Sequence, residues 1–203
     1  MVQNETEAKR RGRPRAYDPD DALRRARDVF WVKGYAATSL DDLAAATGMN
    51  RPSLYAAFGD KQGIYLAALR AQAEDLAAAI ALATSQGGPP AIMVRLIFDR
   101  SIDAYLSGGG RGCFLVGTAL TEAGANEEVR MIVREAFQRC DDILERRFHA
   151  AVAAGEMAAD AHPRALAQLV SATMHELSML ARAGHPRPVL EERAALALTL
   201  MRL

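Results

Sequence analysis

The chain has 203 residues, half of them apolar, with 25 Lys and Arg against 25 Asp and Glu, so it is no polyanion binder held by net charge, and it is long enough for an adequate core. Two cysteines, Cys113 and Cys140, are too few for a secreted disulfide framework, and no apolar run approaches a membrane span of roughly 20 residues. The polar opening MVQNETEAKRRGRPR lacks the apolar stretch of a secretory leader, which gives the expectation of a soluble, cytoplasmic protein.

Residues 1–15 read as a basic disordered arm. Lys9, Arg10, Arg11, Arg13 and Arg15 crowd around Gly12 and Pro14. Beyond them the 3.6-residue period recurs in nearly every segment without two-residue alternation, so the fold class is all-α. A first helix opens at Asp18-Pro19-Asp20-Asp21, with Asp18 as cap, Pro19 in the first turn and acids at the positive end of the dipole. Its stripe is Ala22, Leu23, Ala26, Val29 and Phe30, and Gly34 ends it. A short helix follows Ser39, an N-cap with the acid Asp42 three residues on, and Gly48 stops it. Another runs from about Arg51 to Phe58, and a long one from Lys61 to about Thr84, where Gln86-Gly87-Gly88-Pro89-Pro90 mark a joint. Further helices are expected at roughly 90–106, 113–123, 126–154, 163–182 and 187–202.

The stretch LDDLAAATGMNRPSLYAAFG, Leu40 to Gly59, has the spacing of a helix-turn-helix over 39–58. Ala44 suits the close approach of two axes, Gly48 the turn, and Leu43, Met49, Leu54 and Ala57 the shared core. That leaves Asn50, Arg51, Pro52, Ser53, Tyr55 and Ala56 for an outward face of the kind that enters a DNA major groove. Arg51 offers a fork for guanine, Asn50 can pair with adenine, and Pro52 and Ala56 permit close approach. Tyr55 suits a phosphate, as does Lys61 at the next helix start, and Thr38 and Ser39 at the entry are further candidate DNA contacts.

Gly34 to Leu69, with Tyr55, Phe58 and Lys61 in the pattern Tyr-x-x-Phe followed by lysine, resembles the DNA-binding head of TetR/AcrR-type transcriptional regulators. Pro52 stands where many members have glycine or a small polar residue. The resemblance implies a head over residues 16–76, a homodimer, and a divergent all-helical domain over 77–203 for effector binding and dimerisation. Arg11-Gly12-Arg13-Pro14 also matches the core of an AT-hook. Arg11 and Arg13 then have three readings: insertion into a narrow A·T minor groove, unspecific phosphate contact, or a bystander tail.

The later half is less informative. No Gly-Lys-Ser/Thr follows the glycines before Cys113, so no phosphate loop and no cofactor is expected. Cys113 reads either as a thiol activated by a helix start and Arg111, or as a small buried hydrophobe. Cys140 falls on an apolar stripe, and its pairing with Cys113 is undecided by sequence. His175-Glu176 lacks the second histidine of a zinc motif, because Met179 stands there. Phe98, Ile102, Tyr105, Phe114, Met174 and Leu177, with Cys113, are candidates for an effector pocket. The stripes Leu166, Leu169, Val170, Thr173, Leu177, Leu180 and Val189, Ala194, Leu196, Ala197, Leu200 are candidates for a four-helix dimer interface.

The reading that absorbs most residues is a non-enzymatic, ligand- or electrophile-responsive repressor, acting as a homodimer on a palindromic DNA operator. A thiol-dependent enzyme using Cys113 and an architectural A·T-rich DNA-binding protein are the alternatives.

Overall fold

The computed structural model describes residues 18–203, and every regular element among them is a helix. In chain order these are α1 (Pro19–Ala37), α2 (Leu40–Thr47), α3 (Arg51–Phe58), α4 (Lys61–Ser85), α5 (Pro90–Gly110), α6 (Phe114–Thr121), α7 (Glu127–Ala153), α8 (Pro163–Arg182) and α9 (Arg187–Leu200). The arm with Arg11 and Arg13 lies outside the described residues.

Local capping explains most of the boundaries. The Asp18 carboxylate accepts from the amide of Asp20, Asn50 from Ser53, Asp60 from Gly63 and Asn126 from Val129, each satisfying an amide that the first helical turn leaves without a partner. Ser39 and Asp42 form a reciprocal capping box at the start of α2. Helical torsion in α1 breaks at Gly34, with φ 77° and ψ 165°, where a side chain would be strained. In α5 it breaks at Ser107, and Gly108 and Gly109 follow with positive φ.

α1, α2, α3 and the start of α4 enclose one end of the core around Phe30, Leu43, Leu54, Ile64 and Leu69, all of them buried. The ring of Phe30 meets that of Tyr65 edge-on at 4.9 Å between centroids, a favoured aromatic geometry. α4 then runs on to pack along α7, and α7, α8, α5 and α9 close the remainder of the bundle.

The structure corrects two packing expectations. Ala57 is exposed, and the half-buried Phe58 packs against the core in its stead, because Leu54 and Phe58, four residues apart, share one face of α3. Of the two stripes read as a dimer face, Leu166, Val170, Thr173, Leu177 and Ala194 are buried within this chain. Leu169 of the first stripe and Leu196 and Leu200 of the second are exposed as such a face requires, and Met179 on α8, which neither stripe included, is exposed with them. Both helices are apolar on more than one side, so periodicity alone did not separate the inner face from the outer.

Candidate nucleic-acid interface

α3 is held against α2 by the buried Leu43, Met49 and Leu54, with Gly48 in the left-handed conformation (φ 70°) turning the chain between them. Its other side faces outward: Arg51, Pro52, Tyr55 and Ala56 are exposed, Ser53 partly so, and Tyr55 is 50% accessible despite its large ring. The Tyr55 hydroxyl and ring edge are therefore open to a partner from outside the chain.

The other expected contacts are engaged within the protein in distinct ways. Thr38 is buried and its hydroxyl donates to the Gly34 carbonyl at 2.7 Å, so its side chain supports the turn instead of the outward face. The Ser39 hydroxyl is part of the capping box, and the Asn50 amide oxygen caps α3 through Ser53 at 2.9 Å. Asn50 thus orders the start of α3; it is exposed, and its amide nitrogen and the second lone pair of the oxygen are what remain for a base edge. Lys61 donates to the Thr38 carbonyl at 2.8 Å and sits 4.4 Å from the centre of the Tyr35 ring. It ties α4 to the α1–α2 turn, a link that the helix-start argument did not foresee.

Carboxylates at the start of α2 shape the local charge. The ammonium of Lys33 and the backbone and hydroxyl of Ser39 pull the Asp42 carboxyl down to about 2. Asp41 is held below the usual carboxylate range by Arg51, whose own guanidinium is pushed up in turn. This Asp41–Arg51 pair was missed in sequence; its only signal there is an acid ten positions before a base across a helix-turn-helix.

Behind the head, a cavity of about 180 Å³ opens between α1, α4, α5, α6 and α8. Of the residues expected to line a pocket, Tyr105, Cys113, Phe114 and Met174 do so, whereas Phe98, Ile102 and Leu177 are fully buried core. Sequence reasoning missed Trp31 from α1 and Leu76, Ile80 and Arg100 from α4 and α5. Burial pushes the Cys113 thiol up, against the pull of the Leu115 and Val116 amides at the start of α6. A protonated, enclosed sulfur is a weak nucleophile, so of the two sequence readings the buried hydrophobe fits. Cys140 is likewise buried, its thiol is pushed up to about 12 by burial, and both cysteines are free. A wider cleft of about 630 Å³, between Pro89, the α7–α8 turn and Leu203, includes the exposed Leu169 and Leu200 but no residue of the head.

Residues 22–68 match the family model described as bacterial regulatory proteins, tetR family, and residues 94–196 match the one described as tetracyclin repressor-like, C-terminal domain. Over 61 residues the chain is 52% identical to the HTH-type transcriptional repressor ComR of Escherichia coli strain K12, which is 30% of this chain and 29% of that protein. Over 191 residues it is 28% identical to the HTH-type transcriptional repressor BdcR of the same organism, covering 92% of this chain and 90% of that one. Among solved structures, a cysteine mutant of the TetR family transcriptional regulator CifR, complexed with 26bp double-strand operator DNA, matches with a TM-score of 0.82 at 32% identity. That match covers 92% of this chain and 98% of the other. The helix-turn-helix head and the helical bundle behind it are each accounted for by one family, and the chain belongs to the TetR family of bacterial transcriptional regulators.

Proposed function

We propose that the protein is a homodimeric repressor that reads a palindromic operator through α3 and is released by a small, largely apolar effector. The observation that carries the DNA reading is the outward face of α3. Arg51, Pro52, Tyr55 and Ala56 stand exposed at the N-terminal end and middle of a short helix whose opposite side is locked by Leu54. That is the presentation by which a recognition helix enters a major groove. The CifR mutant structures with operator DNA lend support from a similar chain.

The exposed Leu169 and Met179 of α8 and Leu196 and Leu200 of α9, the last 75% accessible, are the surface for a second copy. Two-fold pairing there sets two α3 helices against successive major grooves about 34 Å apart. The effector site is the cavity bounded by Trp31, Tyr105, Phe114 and Met174, whose apolar lining and few polar groups suit a small molecule. The arm, with Arg11 and Arg13, adds contacts to the flanking minor groove or phosphates.

The test is footprinting on DNA fragments selected by the protein from a genomic or randomised pool. A discrete protected palindrome is expected, and Arg51→Ala with Tyr55→Ala is expected to abolish it while leaving the helical circular dichroism unchanged. Sequence-selective protection that survives the double substitution overturns the assignment of α3.

A further inference from the structure

The exposed pair at the helix-turn-helix surface has a geometry that a solvated salt bridge does not need. Arg51, the first residue of α3, donates from Nε to Asp41 Oδ1 at 2.8 Å and from Nη2 to Asp41 Oδ2 at 2.5 Å. The contact is bidentate and side-on. The carboxylate takes one edge of the guanidinium and leaves the outer edge, formed by Nη1 and the second Nη2 hydrogen, without a partner in this contact. Both side chains are more than half exposed, so the pair adds little to the stability of the fold. Its effect lies in where it aims the remaining hydrogens.

We infer that Asp41 is the positioning residue of base recognition: it clamps Arg51 side-on so that the free outer edge meets N7 and O6 of a guanine end-on. The inference rests on α3 being the recognition helix. A guanine presents two acceptors side by side on its major-groove edge, and a guanidinium fork matches them in one plane. An unclamped arginine samples many rotamers and is drawn to phosphates on either strand, which carry no sequence information. With Asp41 in place the rotamer is selected before DNA arrives, and the ordering cost is met at folding instead of at binding. The carboxylate also cancels much of the local positive charge. Arg51 is then a poorer ligand for phosphate in general, and the negative side chain disfavours misplaced registers of the duplex.

The neighbouring caps reinforce this. Ser39 and Asp42 fix the start of α2, and Asn50 fixes the start of α3. The Cα atoms that carry Asp41 and Arg51 are therefore anchored from both helices, and the pair does not rely on a flexible loop. Asp42, one residue away, is occupied by Lys33 and Ser39, so it does not compete for the guanidinium.

The experiment uses the full chain and duplex DNA carrying the sequence that the wild-type protein selects from a randomised library. Affinities are measured by fluorescence anisotropy for that duplex, for each single base-pair replacement in a half-site, and for an unrelated duplex, with wild type, Asp41→Asn, Asp41→Ala, Arg51→Ala and the Asp41→Ala/Arg51→Ala double variant. Arg51→Ala is expected to erase discrimination at one G·C pair, worth about 10-fold to 100-fold for a bidentate arginine contact. Asp41→Asn and Asp41→Ala are expected to reduce discrimination at that same pair by about 5-fold or more and to strengthen binding to unrelated duplex. The double variant should match Arg51→Ala at that pair. A base-preference profile unchanged in both Asp41 variants, with all affinities shifted by a common factor, overturns the clamp and leaves α3 as the reader. A profile unchanged in Arg51→Ala overturns the clamp together with the place of Arg51 in the interface.

Discussion

Gly63 is the glycine whose added methyl group would come closest to the backbone of α3. It lies in the first turn of α4, where its amide donates to the Asp60 carboxylate at 2.7 Å. A Cβ built there would stand 2.0 Å from the carbonyl oxygen of Phe58, the last residue of α3. Ordinary contact begins near 3.4 Å, so the α3 carbonyl or the α4 turn must move by more than about 1 Å, and a backbone atom cannot rotate away as a side chain does. Overpacking of this kind costs about 1–3 kcal/mol, and the rigid partner puts Gly63→Ala toward the upper end. The gain in helix propensity, up to about 1 kcal/mol, offsets part of it. A net loss of about 2 kcal/mol corresponds to a fall in Tm of roughly 4–8 °C for a chain of this size. The displacement passes into the turn closed by the Gly59 amide on the Tyr55 carbonyl, so DNA affinity should fall by more than the folded fraction explains. Urea unfolding and anisotropy with the selected duplex measure both. Gly124→Ala is the control, because nothing lies within 4 Å of its Cβ position and its φ is ordinary; it should be neutral or slightly stabilising. A Gly63→Ala protein as stable as wild type, with unchanged DNA affinity, refutes the reasoning.

Cys113, buried and with its thiol pushed up, should react with a disulfide reagent at neutral pH far more slowly than a cysteine peptide and at a rate that rises with urea; fast labelling in the native state would restore the sensor reading. Asp42 has a folded pKa of about 2, below its usual 3.8, so its contribution to stability is complete above about pH 4 and disappears as pH falls toward 2. Asp42→Asn should therefore lower the urea midpoint near pH 6 and converge with wild type near pH 2, and parallel curves would remove Asp42 as the source. Deleting residues 1–15 should weaken binding to the selected duplex and flatten the dependence of log affinity on log salt by close to one unit for each lost phosphate contact. Unchanged slope and affinity would leave the arm a bystander.

How much of this was legible in sequence divides along the range of the interactions. The starts of α1 and α2 were readable because Asp18 and Ser39 each satisfy an amide two or three residues away; Asn50 and Asp60 cap α3 and α4 in the same way, but Asn50 was read as a base contact and the role of Asp60 was overlooked. The outward face of α3 was readable because Leu54 and its neighbours leave few alternatives on eight residues. What failed depends on partners distant along the chain. Ala57 is small enough to sit on either side, and only the packing of Phe58 decides the rotation of α3. Leu166, Val170 and Leu177 meet the rest of the bundle, while Leu169 four residues before Thr173 does not; an alanine-rich helix with leucines all round carries no mark of which side meets its own chain. Trp31 was overlooked as a pocket residue because it belongs to the head, whereas the cavity it lines is formed mainly by α4 and α5.

That position of Trp31 bears on how a ligand in the cavity would reach the head. The head is joined covalently to the bundle through α4, and Trp31 supplies a second, noncovalent join. Its indole N–H donates to the Arg111 carbonyl at 3.1 Å, the Arg111 guanidinium lies 4.7 Å from its ring centre and that of Arg27 5.7 Å, and Phe114 approaches to 6.0 Å between ring centres. The segment carrying Arg111 is in turn fixed to α8. At Gly112 a Cβ would stand 2.5 Å from the Ser178 carbonyl oxygen, and the Cys113 amide donates to the Ser178 hydroxyl at 2.7 Å. On the proposed reading, a ligand larger than the cavity of about 180 Å³ that Trp31 and Phe114 line would press on this join, since the Arg111 segment is backed by α8. A hydrogen bond contributes about 1 kcal/mol and each cation–π contact about 0.5–1 kcal/mol at partly exposed sites. Their sum is of the same order as the roughly 2.7 kcal/mol that a 100-fold change in DNA affinity requires. α1 carries Phe30 into the head core beside Tyr65, so freeing Trp31 loosens the helix on which α2 and α3 rest. On that reading the cluster is of the right order to couple cavity and head, beside the Tyr65 hydroxyl on Thr118 and the Asp28–Arg111 pair that join the same two parts.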